Sequence, residues 1–163
     1  ALDQDKHPVY IAIPSGPVVH AEGPVRTNFD ALNTYEVTRE GSKVAVLALG
    51  DFYDLGEKTV EALSSTLGIE ATLVKPYFAS GVDQNLLDNL VKDHDAIVTI
   101  EDGIIEGGWG QNIASYLGTS AARVLNYGVK KAFYDRVNIA DLMRESHLDP
   151  ELIAADIKQV LGL

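Results

Sequence analysis

Between residues 43 and 161 the chain alternates short apolar runs with amphipathic stretches, and this alternation restricts the fold more than any other feature of the sequence. "KVAVLALG" (43–50) is apolar almost throughout, as suits a strand buried on both faces. The segment after it sets Leu55, Thr59, Val60, Leu63 and Leu67 on one helical face. "EATLVKP" (70–76) reads as a second strand ended by proline, and Val82, Leu86, Leu87, Leu90 and Val91 mark a second helix entered from Asp83. "DAIVTIED" (95–102) is a third strand, Ile113, Ala114 and Leu117 mark a third helix, and "ARVLNYG" (122–128) is a fourth strand. In the tail, Asp149 and Pro150 supply a cap and a first-turn proline ahead of the apolar stripe Ile153, Ile157, Val160 and Leu161. Strands that alternate with helices and are apolar along their whole length predict an α/β fold with a parallel sheet covered on both faces.

The first forty residues read differently. Residues 9–13 make a short strand pattern stopped by Pro14, and "PSGPVVHAEGP" (14–24) holds three prolines and two glycines, a composition for a linker or extended arm. Residues 35–38, the turn "REGS" and residues 43–49 together predict a hairpin that adds one antiparallel strand to the sheet. Asp54 followed by Glu57 resembles a capping box. Ala1 stands where a natural start would place Met, and Met143 is the only methionine, so a piece of a longer polypeptide is expected.

Composition narrows the function. A net charge of −11 with scattered cations gives the electrostatic term for nucleic-acid binding the wrong sign, so no nucleic-acid partner is expected. No apolar run approaches the ~20 residues of a membrane span, so no membrane partner is expected either. The absence of cysteine excludes disulfides and thiolate chemistry and suits the cytoplasm.

The candidate site is "EDGIIEGGWG" (101–110), which lies where the third strand runs into the third helix, at the carboxyl end of a parallel sheet where ligands tend to bind. Its residues Glu101, Asp102, Gly103, Gly107, Gly108 and Gly110 fit neither G-x-G-x-x-G nor G-x-x-x-x-G-K-[ST], since Gln111 stands where a lysine would be needed. Its acids would repel phosphate, so a packing turn is favoured over a phosphate cradle. Adjacent strand residues point to opposite faces, so Glu101 and Asp102 should not share a proton. A carboxylate there could instead order the loop by accepting amides at the helix start. Trp109 is expected to dock against its neighbours, and His7, His20, His94 and His147, in polar local contexts, are expected on the surface.

Three stretches, "ALGDFYDLGEKTVEALSSTLGIEATLVKPYF", "HDAIVTIEDGIIEGGWGQNIASYLG" and "VLNYGVKKAFYDR", resemble the carboxy-terminal domain of 1-deoxy-D-xylulose-5-phosphate synthases, thiamine-diphosphate enzymes of the transketolase superfamily. "HPVYIAIPSGP" is similar to the last strand of the domain that precedes it in that family. The resemblance implies a three-layer, mostly parallel five-stranded sheet with one antiparallel strand. It divides the chain into residues 1–41, the end of the pyrimidine-binding domain and its linker, and residues 42–163, a transketolase C-terminal-like domain. It further implies an intact cytoplasmic, homodimeric transferase that uses thiamine diphosphate and Mg2+, whose binding groups and catalytic residues belong to upstream domains of the same polypeptide. No catalytic or metal-binding residue and no cofactor are therefore expected in this chain by itself. The family's "YPRG" reads "IPSG" here, which puts Ser15 where an arginine helps hold the substrate phosphate, and Tyr77 likewise stands for an arginine. A neutral hydroxyl cannot replace that charge, which implies a different acceptor. Two other origins stay open: the matching domain of a transketolase or 2-oxo acid dehydrogenase beta subunit, and a free-standing flavodoxin-like binding module.

Overall fold

The computed structural model describes residues 8, 10–13 and 26–163. Five strands form one sheet: β1 (Glu36–Arg39), β2 (Lys43–Leu49), β3 (Thr72–Lys75), β4 (His94–Ile104) and β5 (Arg123–Val129). Their order across the sheet is β1-β3-β2-β4-β5; β2 runs parallel to β3 and β4, β4 runs parallel to β5, and β1 alone is antiparallel. The fold class expected from the alternation is the one observed.

Helices cover both faces. Val44, Val46 and Ala48 of β2 and Ala96, Val98 and Ile100 of β4 point into one core together with α1 (Tyr53–Leu67) and α5 (Pro150–Leu161). The alternate residues Ala45, Leu47 and Ile97 point into a second core with α2 (Gln84–Asp93) and α3 (Trp109–Tyr116). A strand's two-residue period assigns its side chains to these two faces, and every one of these strand residues is fully buried. At ~25 cal/mol per Å2 of apolar surface, such paired cores are the main stabilising term. The short helix α4 (Ile139–Glu145) buries no residue.

The expected hairpin is replaced by a split one. β1 keeps its antiparallel sense but pairs with β3, through Glu36↔Lys75 and Val37↔Val74, and β3 separates it from β2. The connection passes close over the start of β3: the Gly41 amide donates to Thr72 Oγ1 at 3.0 Å and the Ser42 amide to the Glu70 carbonyl at 2.8 Å. A Cβ on Gly41 would stand 2.2 Å from that carbonyl oxygen, so the glycine is required by close approach and not by a hairpin turn. The burial patterns explain the order. β2 is buried at five successive positions and needs a neighbour on each side, whereas β1 alternates exposed and half-buried and suits an edge.

Several local expectations change for similar reasons. Residues 10–13 form no strand, since no described strand pairs with them, and the proline-rich run 14–24 lies outside the described residues. Asp54 is no cap: a 3-10 turn over Gly50–Phe52 starts α1 ahead of it, and its carboxylate pairs with Lys58 on the helix surface. Asp83 and Asp149 do cap α2 and α5, accepting from Leu86 N and from Glu151 N and Leu152 N. His94 is buried, contrary to the surface expectation. Its Nδ1 donates to the Leu90 carbonyl at 2.8 Å and its Nε2 lies 2.8 Å from Thr72 Oγ1, which itself accepts from Gly41 N. The flanking Asp93 and Asp95 suggest a surface position, but the first pairing of β4 with Lys43 of β2 turns the ring inward. His147 is on the surface and bonds Asp156 at 2.7 Å, while His7 and His20 lie outside the described residues.

Candidate functional site

The period-two pattern that buries Ile97 under α3 puts Thr99 and Glu101 on the same face farther along β4, so the second core turns polar at the carboxyl end of the sheet. Glu101 is only 5% exposed there. Its Oε2 accepts from the backbone N–H of Trp109 at 2.8 Å, and its Oε1 accepts from that of Gly110 at 2.9 Å. These are the first two amides of α3, which have no partner within the helix. The carboxylate therefore satisfies two orphan donors and sets a negative charge against the positive end of the helix dipole. α3 has no side-chain cap from Gly108, the residue before it, and Glu101 performs that role from across the turn.

The glycines make room for this arrangement. A Cβ on Gly108 would lie 2.5 Å from the Ile104 carbonyl oxygen and 2.6 and 2.7 Å from the two Glu101 carboxylate oxygens. On Gly110 it would lie 2.3 Å from Thr99 Oγ1 and 3.1 Å from Glu101 Oε1. Gly107 adopts φ +83°, a backbone that other residues reach only with strain, and its amide donates to Gln111 Oε1. Gly103 is different: a Cβ there would make only an ordinary contact, 3.6 Å from Glu101 Oε2. Gly108 and Gly110 are thus spatial requirements of one buried carboxylate, and Gly107 is a conformational requirement of the turn.

The three acids of the turn have separate roles. Asp102 is exposed where Glu101 is buried, as adjacent residues of a strand alternate between its faces. Glu106 accepts from Lys131 N at 2.8 Å and ties the turn to the segment after β5. Trp109 is buried, and its indole N–H donates to the Tyr35 hydroxyl at 2.9 Å, which donates in turn to the Gly81 carbonyl. Burial pushes the Tyr35 phenol up to about 12, against a hydrogen bond from Trp109 that favours its ionised form. The docking role expected of Trp109 is the one it has.

A second cluster gathers at the carboxyl end of β3 around Tyr77, the residue that stands for a family arginine, with partners that its sequence neighbourhood does not reveal. The Arg26 guanidinium lies over the rings of Tyr77, Phe29 and Phe78 at 5.0, 5.2 and 5.7 Å, and it donates to the carbonyls of Asn28, Ala31 and Thr34. Lys75 Nζ sits 4.7 Å from the Tyr53 ring and 5.8 Å from that of Tyr77. The Tyr77 hydroxyl donates to the Glu36 carboxylate, and burial, followed by that bond, pushes the phenol up to about 12. The available signal was an isolated Arg26 three residues before Phe29 in a segment otherwise read as linker. Ser15 lies outside the described residues.

No three of His, Cys, Asp and Glu gather into a possible metal site among the described residues. The amino end of α3, which could attract a diphosphate, already holds Glu101. These residues therefore do not fit thiamine diphosphate or its magnesium ion. No described helix is long and apolar enough to cross a membrane.

Comparison with known proteins gives concordant results. The profile of the family described as "Transketolase, C-terminal domain" matches residues 33–153. A 1-deoxy-D-xylulose-5-phosphate synthase from Pseudoalteromonas translucida is 33% identical over 95% of this chain and 24% of its own length. One from Acidovorax ebreus is 30% identical over 99% of this chain and 25% of its own. The chain thus spans about a quarter of the length of the curated relatives it matches. Among solved structures, a split-gene transketolase described as an "inactive beta4 tetramer" superposes with a TM-score of 0.67 at 26% identity, over 80% of this chain and 43% of that one. A transketolase from Pichia stipitis, at 16% identity and a TM-score of 0.53 over 77% of this chain and 17% of its own, shares the fold.

Proposed function

The chain belongs to the transketolase C-terminal domain family, and from that premise we propose that it is the structural, interfacial C-terminal domain of a thiamine-diphosphate-dependent transferase resembling 1-deoxy-D-xylulose-5-phosphate synthase. That reaction joins pyruvate to glyceraldehyde 3-phosphate with loss of carbon dioxide. The cofactor supplies the carbanion chemistry when bound, and the groups that hold it and its metal lie in the preceding domains. In this reading residues 1–41 close the preceding domain and connect it to the sheet, with β1 at the end of that connection, and residues 42–163 form the C-terminal domain. The intact enzyme is a cytoplasmic homodimer.

The observation that carries the structural role is the Glu101 carboxylate on the first two amides of α3. It turns the one glycine-rich turn at the carboxyl end of β4 into a self-capped joint. The acceptor follows from Tyr77. Its hydroxyl is bonded to Glu36 and its ring is covered by Arg26, whose N–H groups are committed to backbone carbonyls, so neither side chain offers a free positive fork to a phosphate. With Ser15 also replacing an arginine, the acceptor is an aldehyde other than glyceraldehyde 3-phosphate.

The full-length gene product tests this reading. Release of carbon dioxide from pyruvate that requires thiamine diphosphate and Mg2+, with weak use of glyceraldehyde 3-phosphate relative to unphosphorylated aldehydes, is the expected result. Cofactor-dependent release with no acceptor preference would remove the acceptor assignment, and no release with any acceptor would overturn the transferase reading. Residues 1–163 alone should release none.

A further inference from the structure

Residues 26–35 run over the loop that joins β3 to α2, and their fastenings form an unbroken series. Arg26 lies against the rings of Tyr77 and Phe78 just beyond β3. The same guanidinium closes the segment into a loop, donating from Nη1 to the Thr34 carbonyl at 2.9 Å and from Nη2 to Thr34 Oγ1 at 2.7 Å. Asn33 meets the next part of the β3–α2 loop: its Oδ1 accepts from the Ser80 hydroxyl at 3.2 Å, and its Nδ2 lies 2.5 Å from where a Cβ on Gly81 would stand. Beside Thr34, Tyr35 reaches both helix starts. Its backbone N–H donates at 2.9 Å to Oδ2 of Asp83, whose Oδ1 caps α2. Its hydroxyl donates to the Gly81 carbonyl and accepts from the Trp109 indole, both at 2.9 Å, with the two rings edge to face at 5.9 Å. The backbone N–H of Trp109 is in turn held by Glu101.

We propose that residues 26–35 are a strap that locks the starts of α2 and α3 together at the carboxyl end of the sheet, with Arg26 closing it and Tyr35 coupling it to both helices. The inference goes beyond the transferase reading and does not depend on it. Arg26 acts through Thr34 on the adjacent Tyr35. Lifting Tyr35 strands the buried indole N–H of Trp109 and takes a donor from the Asp83 carboxylate, so release of the strap loosens both helix starts. Contacts that share one set of groups in this way form cooperatively, and each end of the strap favours closure of the other. A segment held beside β3 thereby governs order at the turn after β4, although β2 lies between those two strands.

Hydrogen exchange followed by mass spectrometry on the full-length gene product tests the strap. Arg26→Ala should speed exchange about tenfold in peptides covering the starts of α2 (82–88) and α3 (107–113), while the peptide covering β2 (43–49) stays protected over the same period. Arg26→Lys keeps a cation over the rings but cannot fork onto Thr34, so it should loosen the same two peptides to a smaller extent. Tyr35→Phe removes the hydroxyl between Gly81 and Trp109 and keeps the backbone bond to Asp83. In that background Arg26→Ala should still loosen the start of α2 but add little at α3. Faster exchange confined to residues 26–36 and 77–78 would overturn the coupling. So would an Arg26→Ala effect on α3 of the same size with and without the Tyr35 hydroxyl, or exchange at the helix starts that only keeps pace with β2.

Discussion

The missing side chain of Gly108 and the carboxylate of Glu101 are two halves of one joint: a Cβ at position 108 would stand 2.6 Å from Oε1 of Glu101, which caps α3 two residues farther on. The turn is shaped by what it must leave empty.

Gly108→Ala should therefore lower stability by about 1–3 kcal/mol, the range for inserting a methyl group into a packed site. Gly103→Ala, five residues away in the same glycine-rich stretch, should change it by less than about 0.5 kcal/mol, as at an unconstrained position. Denaturant unfolding of the two variants side by side checks the contrast. Equal effects would contradict the packing assignment.

Replacing Glu101 removes the acceptor of two buried amides. Glu101→Ala should cost about 2–4 kcal/mol, from two unmet donors and a lost charge at the helix terminus. Glu101→Gln, which keeps one acceptor oxygen but sets an amide N–H2 against an N–H, should fall between wild type and alanine. Because the alanine variant opens the amide pair, sulfate should raise its melting temperature more than that of the wild type. Thermal melts with and without sulfate measure both effects.

How much of this was legible in the sequence depends on how local each cause is. The two-residue period of β4 is local, and it is enough to separate Glu101 from Asp102, whereas which acid meets the amides of α3 depends on how the turn folds back. Asp83 and Asp149 could be read as caps because a cap reaches only two or three residues. The partner of β1 could not be read: "REGS" satisfies a hairpin, and only the demand of the buried strand β2 for two neighbours, met through Gly41 passing over Glu70, places β3 between them. His94 was misread because its aspartate neighbours describe the exposed positions on either side of it. Arg26 escaped notice because its rings come from Phe29 and from residues about fifty positions away.

The buried histidine gives a sharper test than its exposure alone. Gly41 N, Thr72 Oγ1, His94 Nε2 and Nδ1, and the Leu90 carbonyl form one hydrogen-bonded chain across β2, β3 and the end of α2. Thr72→Val and His94→Phe should each destabilise by about 1–3 kcal/mol, since each strands a buried partner. The double variant should cost less than the sum by about 0.5–3 kcal/mol, as expected for residues in contact. Simple additivity would show that the pair does not act as a unit.

Alkaline pH should act through the tyrosines. Tyr35 and Tyr77 are both raised from 10.0 to about 12, so the folded state holds their protons more tightly than the unfolded chain. Their contribution to stability is complete below pH 10 and is lost as pH rises through about 12. Tyr35→Phe should flatten the fall in stability over that window. The single tryptophan, Trp109, donates to the Tyr35 hydroxyl, so its fluorescence should change as Tyr35 ionises in the wild type and lose that component in the variant. A titration that leaves the fluorescence unchanged up to unfolding would contradict the contact.

The most direct measurement is an amide-resolved NMR titration of the wild-type chain with inorganic phosphate and with thiamine diphosphate, following the backbone resonances of Trp109 and Gly110. If Glu101 already fills the amino end of α3, neither ligand will shift them, and the same titration of Glu101→Ala will. Saturable shifts at both amides in the wild type would show that the turn is an anion site and would contradict the account of it as a self-capped joint.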